Sequence, residues 1–195
     1  MAKRRGQGRR HASDARAVWV AAACAAWTCL ASGCASIDQV NVQLQAASWI
    51  EGATQAPALD GELDFGEFDQ IDLSQNPVMR NRNVRRRDID RATVSTFWLE
   101  VRDPANGQDL TFIKSITIFV EAPGMNRVPI AQGGNFPSTK QHVDLQPVNN
   151  DVAPFAAAES MKFLAVVSGV APPQRTKVVA EVDLVVDINV QGLLQ

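Results

Sequence analysis

The chain has 195 residues and a formal net charge of −2, a length that suits one domain able to bury a core without disulfides. The charge is unevenly divided: residues 1–33 hold six basic side chains against Asp14 alone, while residues 34–195 hold 13 Lys and Arg against 20 Asp and Glu, a net of −7, and so acidic a body repels phosphate backbones and excludes nucleic acid as an expected partner. All three cysteines lie at or before position 34, so the remainder can form neither an internal disulfide nor a thiolate metal site.

Lys3 to Arg16 form a basic segment, and Ala17 to Leu30 (AVWVAAACAAWTCL) is an uncharged, mostly apolar run of 14 residues. As a helix this run rises about 21 Å, short of the ~30 Å hydrocarbon core of a bilayer. It reads as the helix of a signal peptide over residues 1–33, not as a permanent span. Leu30-Ala31-Ser32-Gly33-Cys34 follows, and it resembles the lipobox of bacterial lipoproteins. The resemblance implies cleavage before Cys34 and a diacylglycerol on its sulfur. The peptidase needs small side chains just upstream, and the sulfur must be free to take the lipid. Ala31 departs from the pattern, which prefers Leu there; Leu30 sits one position early. An ordinary secretory peptide cut near Ala31–Gly33, with Cys34 incidental, is the alternative. Arg4-Arg5 and Arg9-Arg10 lack the apolar residues that follow a twin-arginine signal.

Ala35, and not Asp, follows the cysteine. In a two-membrane bacterium the resemblance therefore implies a cell-envelope protein at the outer membrane, facing the periplasm or the cell surface. Its partners would be the bilayer, through acylated Cys34, and an envelope protein. Two or more acyl chains at ~0.8 kcal/mol per buried CH₂ hold such a protein firmly. No cofactor is expected beyond that covalent lipid. Residues 34–39 read as the lipidated cysteine and a tether, and residues 40–195 as a single domain.

Val40, Val42 and Leu44 alternate with Asn41, Gln43 and Gln45, the period of a strand. Ala53–Asp60 reads as a loop. Asp60, Glu62, Asp64, Glu67, Asp69 and Asp72 then place six acids in 13 residues. Clustered carboxylates suit calcium, but an EF-type loop begun at Asp60 puts Phe65 where Gly is required and Ile71 where Glu is required. Arg80, Arg82, Arg85, Arg86, Arg87 and Arg91 follow, a candidate anion-binding set, because guanidinium forks suit phosphate, lipid headgroups and acidic glycans. The competing expectation is two solvated faces attracting each other across a fold, with Asn76-Pro77 permitting the reversal.

Thr93–Val101 is rich in β-branched and aromatic residues, with Phe97, Leu99 and Val101 on one face. Asp103-Pro104-Ala105-Asn106-Gly107 predicts a hairpin loop before a strand over Leu110–Glu121, bent near Lys114-Ser115. Pro123-Gly124, Gly133-Gly134 and Pro172-Pro173 predict further turns, and Arg127–Ala131, Gln141–Leu145 and Met161–Ser168 further strands. Val152–Ser160, broken by Pro154, is the one helical candidate. Lys177–Val190 alternates most cleanly, with Val178, Ala180, Val182, Leu184, Val186, Ile188 and Val190 on one face.

About eight short strands without a long helix predict an all-β fold, an antiparallel β-sandwich for which an immunoglobulin-like arrangement is one form and a closed barrel the runner-up. The strands are too few and too charged for a membrane barrel. No catalytic set is expected. His142 is the only histidine after the signal and reads as a surface residue on a strand. No G-x-S-x-G, metal-ligand set or phosphate-cradling glycine loop occurs. Glycosidase chemistry needs only two carboxylates, and nothing selects a pair among the 20 acids. Trp49 and Trp98 are candidates for sugar stacking against the commoner role of packing.

Asn83–Val94 (NVRRRDIDRATV) with Leu99-Glu100-Val101, and Asp109–Ile113 (DLTFI) with Ser115-Ile116 and Val120–Gly124 (VEAPG), resemble segments of uncharacterised bacterial envelope lipoproteins. The likeness covers roughly residues 60–131 and implies an envelope β-sandwich with no catalytic motif. The expected function is a membrane-anchored, non-enzymatic binding or structural module, with a carrier or sensor of an apolar or glycan ligand as the alternative.

Overall fold

A computed structural model describes residues 38–189 apart from Asn106 and Asn149. The signal segment, Cys34 and Val190 lie outside the described residues. In chain order the elements are β1 (Gln39–Ile50), β2 (Ala58–Leu63), α1 (Pro77–Asn81), β3 (Ile89–Asp103), β4 (Ile113–Glu121), β5 (Val128–Gly134), β6 (His142–Asp144), β7 (Gln146–Pro147), α2 (Ala153–Ala156), β8 (Lys162–Val170) and β9 (Thr176–Ile188). Short 3₁₀ turns occupy Gly66–Phe68, Leu73–Gln75 and Arg86–Asp88.

The strands form two antiparallel sheets, β1-β9-β3-β6 and β2-β8-β4-β5-β7. The fold is an all-β sandwich. Its inner faces follow from period-two alternation: Val178, Ala180, Val182, Leu184 and Val186 of β9 are fully buried. Val42 and Val94 flank Leu184 from β1 and β3. Ile116, Ile118 and Val120 of β4 and Phe163, Ala165 and Val167 of β8 join the same continuous core from the second sheet. A register shift between Val94 and Thr96 is what lets Val94 and Phe97, three apart, both point inward.

The immunoglobulin-like form is not the one adopted. It would pair the first two strands within one sheet, whereas β1 and β2 lie in different sheets. The pairs β1/β9, β2/β8, β3/β6 and β4/β5 nest inside one another, which is the strand order of a jelly roll. The reason lies in the connection after Ile50, which is too long for a tight hairpin and is held elsewhere. Ala53 N–H donates to Pro172 O at 2.9 Å, and a Cβ on Gly52 would lie 2.2 Å from the Gln174 carbonyl carbon. The chain thus passes against the β8–β9 connection into the other sheet.

Asp103–Gly107 likewise begins a crossover from β3 to β4 and makes no hairpin. Gly133-Gly134 belongs to β5, packed where no Cβ fits: one on Gly134 would lie 2.4 Å from Lys114 O. Ala53–Asp60 is only partly loop, because β2 begins at Ala58. Leu110–Phe112 is a turn ahead of β4, and the predicted bend appears as a register shift between Ile113 and Ser115. The Val152–Ser160 helix contracts to α2, one turn. The Asp151 carboxylate starts it, accepting from Ala153 N–H at 2.9 Å. Gln39, assigned to the tether, is the first residue of β1.

β1 is a long edge strand, a template for unwanted pairing unless covered. The β2–β3 connection covers it. Phe65, Phe68, Leu73, Met79 and Val84 sink into the core, and Phe68 meets Phe163 edge-on with ring centroids 5.4 Å apart. Along the free side of β1, Glu67 accepts from Ala47 N–H at 3.1 Å and Arg82 Nη1 donates to Gln39 O at 2.8 Å.

Candidate functional site

Cys34, the predicted lipidation site, lies outside the described residues. The arginine set is described in full. Asn76 accepts from Val78 N–H at 2.9 Å and Pro77 supplies the fixed φ of a first helical position, so the expected reversal is α1 itself. Arg80 lies in α1, Arg82 just after it, Arg85 to Arg87 at the last 3₁₀ turn, and Arg91 in β3. Arg80, Arg82, Arg85, Arg87 and Arg91 are exposed; Arg86 alone is drawn in.

Arg86 grips Asp72 with Nη2 2.5 Å from Oδ2 and Nε 3.3 Å from Oδ1. Burial pushes the Asp72 carboxyl up, but hydrogen bonds from Arg86 and Ser74 outweigh it, and the net pKa is below the usual aspartate range. The same pairing, led by the Asp72 hydrogen bond, raises Arg86. Asp88 is buried and accepts from Arg85 N–H at 2.9 Å, with Arg87 Nε 3.8 Å from its other oxygen. The two charge runs therefore meet at one pair, Asp72–Arg86. Elsewhere the acids face other partners: Asp69 meets Lys162 at 3.3 Å and Glu62 meets Arg127 at 3.4 Å.

A second polar constellation lies on the outer face of the four-stranded sheet. Register aligns Gln45, Glu181, Trp98 and Asp144 across β1, β9, β3 and β6. Glu181 accepts from Gln43 Nε2 at 2.7 Å, Gln45 Nε2 at 3.0 Å and Trp98 Nε1 at 3.1 Å. The Trp98 ring meets the His142 ring with centroids 4.9 Å apart, and His142 Nε2 lies 3.5 Å from Asp144 Oδ1. Trp98 is thus fixed on a carboxylate, while Trp49, 43% exposed, lies under the Arg175 guanidinium at 4.3 Å. Sequence reasoning missed Glu181 as a hub: it alternates outward in β9 legibly, but which strands flank β9 is a matter of topology.

Beside β6 the β5–β6 connection crosses between the sheets and borders an open groove of about 1100 Å³. Its walls mix polar side chains, Glu100, Thr117, Gln132, Gln141, His142 and Gln146 among them, with apolar ones such as Ile116, Phe136 and Val143. Hydroxyls, amides and one imidazole on an open wall can hydrogen-bond a polar ligand. They do not enclose an apolar one.

No family model matches the chain. No curated protein matches it either. Among the described residues no three His, Cys, Asp or Glu side chains gather as a metal set, and no helix is long and apolar enough to cross a membrane.

Proposed function

We propose that this chain is an envelope lipoprotein, cut before Cys34, lipidated there, and carrying its jelly-roll sandwich as a non-enzymatic binding or structural module on the membrane surface. One observation carries the reading: a basic segment, a 14-residue apolar run and Leu30-Ala31-Ser32-Gly33-Cys34 follow in that order. The fold supports it, since the first strand begins at Gln39, close behind the cysteine. The placement in the outer membrane rests on Ala35. The open groove beside β6 favours a glycan over an apolar ligand for the carrier alternative.

Intact-mass analysis of the protein purified from a bacterial envelope tests the anchor. The expected product starts at Cys34 and bears diacylglycerol. An unmodified Cys34, or a cut at another bond, overturns the reading. Cys34→Ala is expected to leave an uncut precursor; normal processing of that variant counts equally against it.

A further inference from the structure

We propose that the arginine-bearing surface at the Gln39 end of the sandwich docks onto the anionic phospholipid headgroups of the leaflet that carries the anchor. The proposal rests on the lipidation of Cys34 and deepens it.

Topology sets the location. Gln39 pairs with Asp187 of β9, and Asp187 pairs with Arg91 of β3. Arg82 donates to the carbonyl of Gln39 itself. The arginine set is therefore gathered where β1 departs toward Cys34. The link from Cys34 to Gln39 is five residues, and at ~3.3–3.6 Å per residue it reaches at most about 18 Å, whatever its conformation. The far end of β1, by contrast, is about 35 Å along the strand at ~3.3 Å per residue. A lipid on Cys34 keeps the Gln39 end nearest the bilayer.

Charge then selects the ligand. Arg80, Arg82, Arg85, Arg87 and Arg91 are exposed, against four exposed acids at this end: Asp38, Asp90, Asp151, which accepts from Ala92 N–H, and Glu159, which acts on Arg86. Of the remaining acids here, Asp72 holds Arg86, Asp88 is buried and Asp187 is half-buried between Gln39 and Arg91. Arg80, Arg85 and Arg91 have no side-chain hydrogen bond or ion pair among the described residues. Their guanidinium forks suit the phosphodiester oxygens of lipid headgroups, and a negative leaflet attracts basic groups near the membrane.

The test uses the purified, processed protein in vesicles of phosphatidylcholine alone or mixed with phosphatidylglycerol, read by hydrogen–deuterium exchange. Exchange across residues 77–91 is expected to slow only with the anionic lipid. The slowing is expected to vanish in high salt and in the triple variant Arg80→Gln, Arg85→Gln, Arg91→Gln, while β8 and β9 exchange unchanged. Equal exchange in both vesicle types, retention of the slowing in the triple variant, or the same slowing from inorganic phosphate without anionic lipid overturns the docking. The mass at Cys34 in the same sample separates the two claims. Lipid present with no slowing sinks the docking alone; lipid absent sinks the anchor, and the docking falls with it.

Discussion

Leu184→Ala compared with Val185→Ala puts the packing logic of the sandwich to a direct test. Leu184 is fully buried in the central strand β9, between Val42 and Val94 on the inner face. Its neighbours are β-branched and stiff, so they close little of the gap that truncation leaves. Lost transfer energy and residual cavity together put the cost at about 3–4 kcal/mol. The folded body has ~150 residues, for which unfolding entropy near 2.1 cal/mol/K per residue makes each kcal/mol about 3 °C in Tm. Leu184→Ala is thus expected to lower Tm by roughly 10 °C on that scale. Val185, the next residue, is half-buried on the opposite face beside Asn41 and Thr93, and its truncation is expected to cost about 1 kcal/mol or less. Denaturant unfolding of both variants, followed by tryptophan fluorescence, gives the two numbers. Equal losses, or a larger loss for Val185→Ala, refute the assignment of faces.

Gly169→Ala is expected to destabilise by about 2 kcal/mol or more, since its Cβ would lie 2.1 Å from Phe112 O; Gly66→Ala, which meets nothing within 4 Å, leaves Tm nearly unchanged in a thermal scan. The Asp109 carboxyl is lowered by hydrogen bonds from Thr111 Oγ1, then Thr139 N–H, and Asp72 is lowered as well. Below the ordinary aspartate value of about 3.9 the unfolded chain binds more protons than the folded one, so stability falls as pH drops through their depressed pKa values. Denaturant midpoints taken from pH 5 downward show this loss, and Asp109→Asn flattens it. Glu67→Ala releases the Ala47 N–H on the free side of β1 and is expected to give concentration-dependent association in sedimentation velocity, with little change in Tm.

The strands that bury one face and wet the other are legible from their letters. In β9 every second residue from Val178 to Ile188 is buried, and in β3 the inward set Phe97, Leu99, Val101 stands out the same way. β2 is not legible. It is an edge strand with hardly any burial, and Asp60, Gly61 and Glu62 argue against a strand. The jelly-roll order is hidden because pairing depends on which strands the crossovers bring together, and a loop such as Asp103–Gly107 looks alike whether it reverses the chain or changes sheets. At the candidate site the identity of the exposed arginines was readable. The inward turn of Asp72 and Asp88, which leaves Arg80, Arg85 and Arg91 without a side-chain partner among the described residues, was not.

The place of β9 also bears on when this protein can take shape. Residues 176–188 leave the ribosome after every strand they must hold together, yet they form the seam between β1 and β3. Until they arrive, the first and third strands have nothing between them, and such distant pairings assemble slowly. Until β9 is made, the four-stranded sheet therefore lacks the strand at its centre, and β1 and β3 stay apart through all of the synthesis that precedes it.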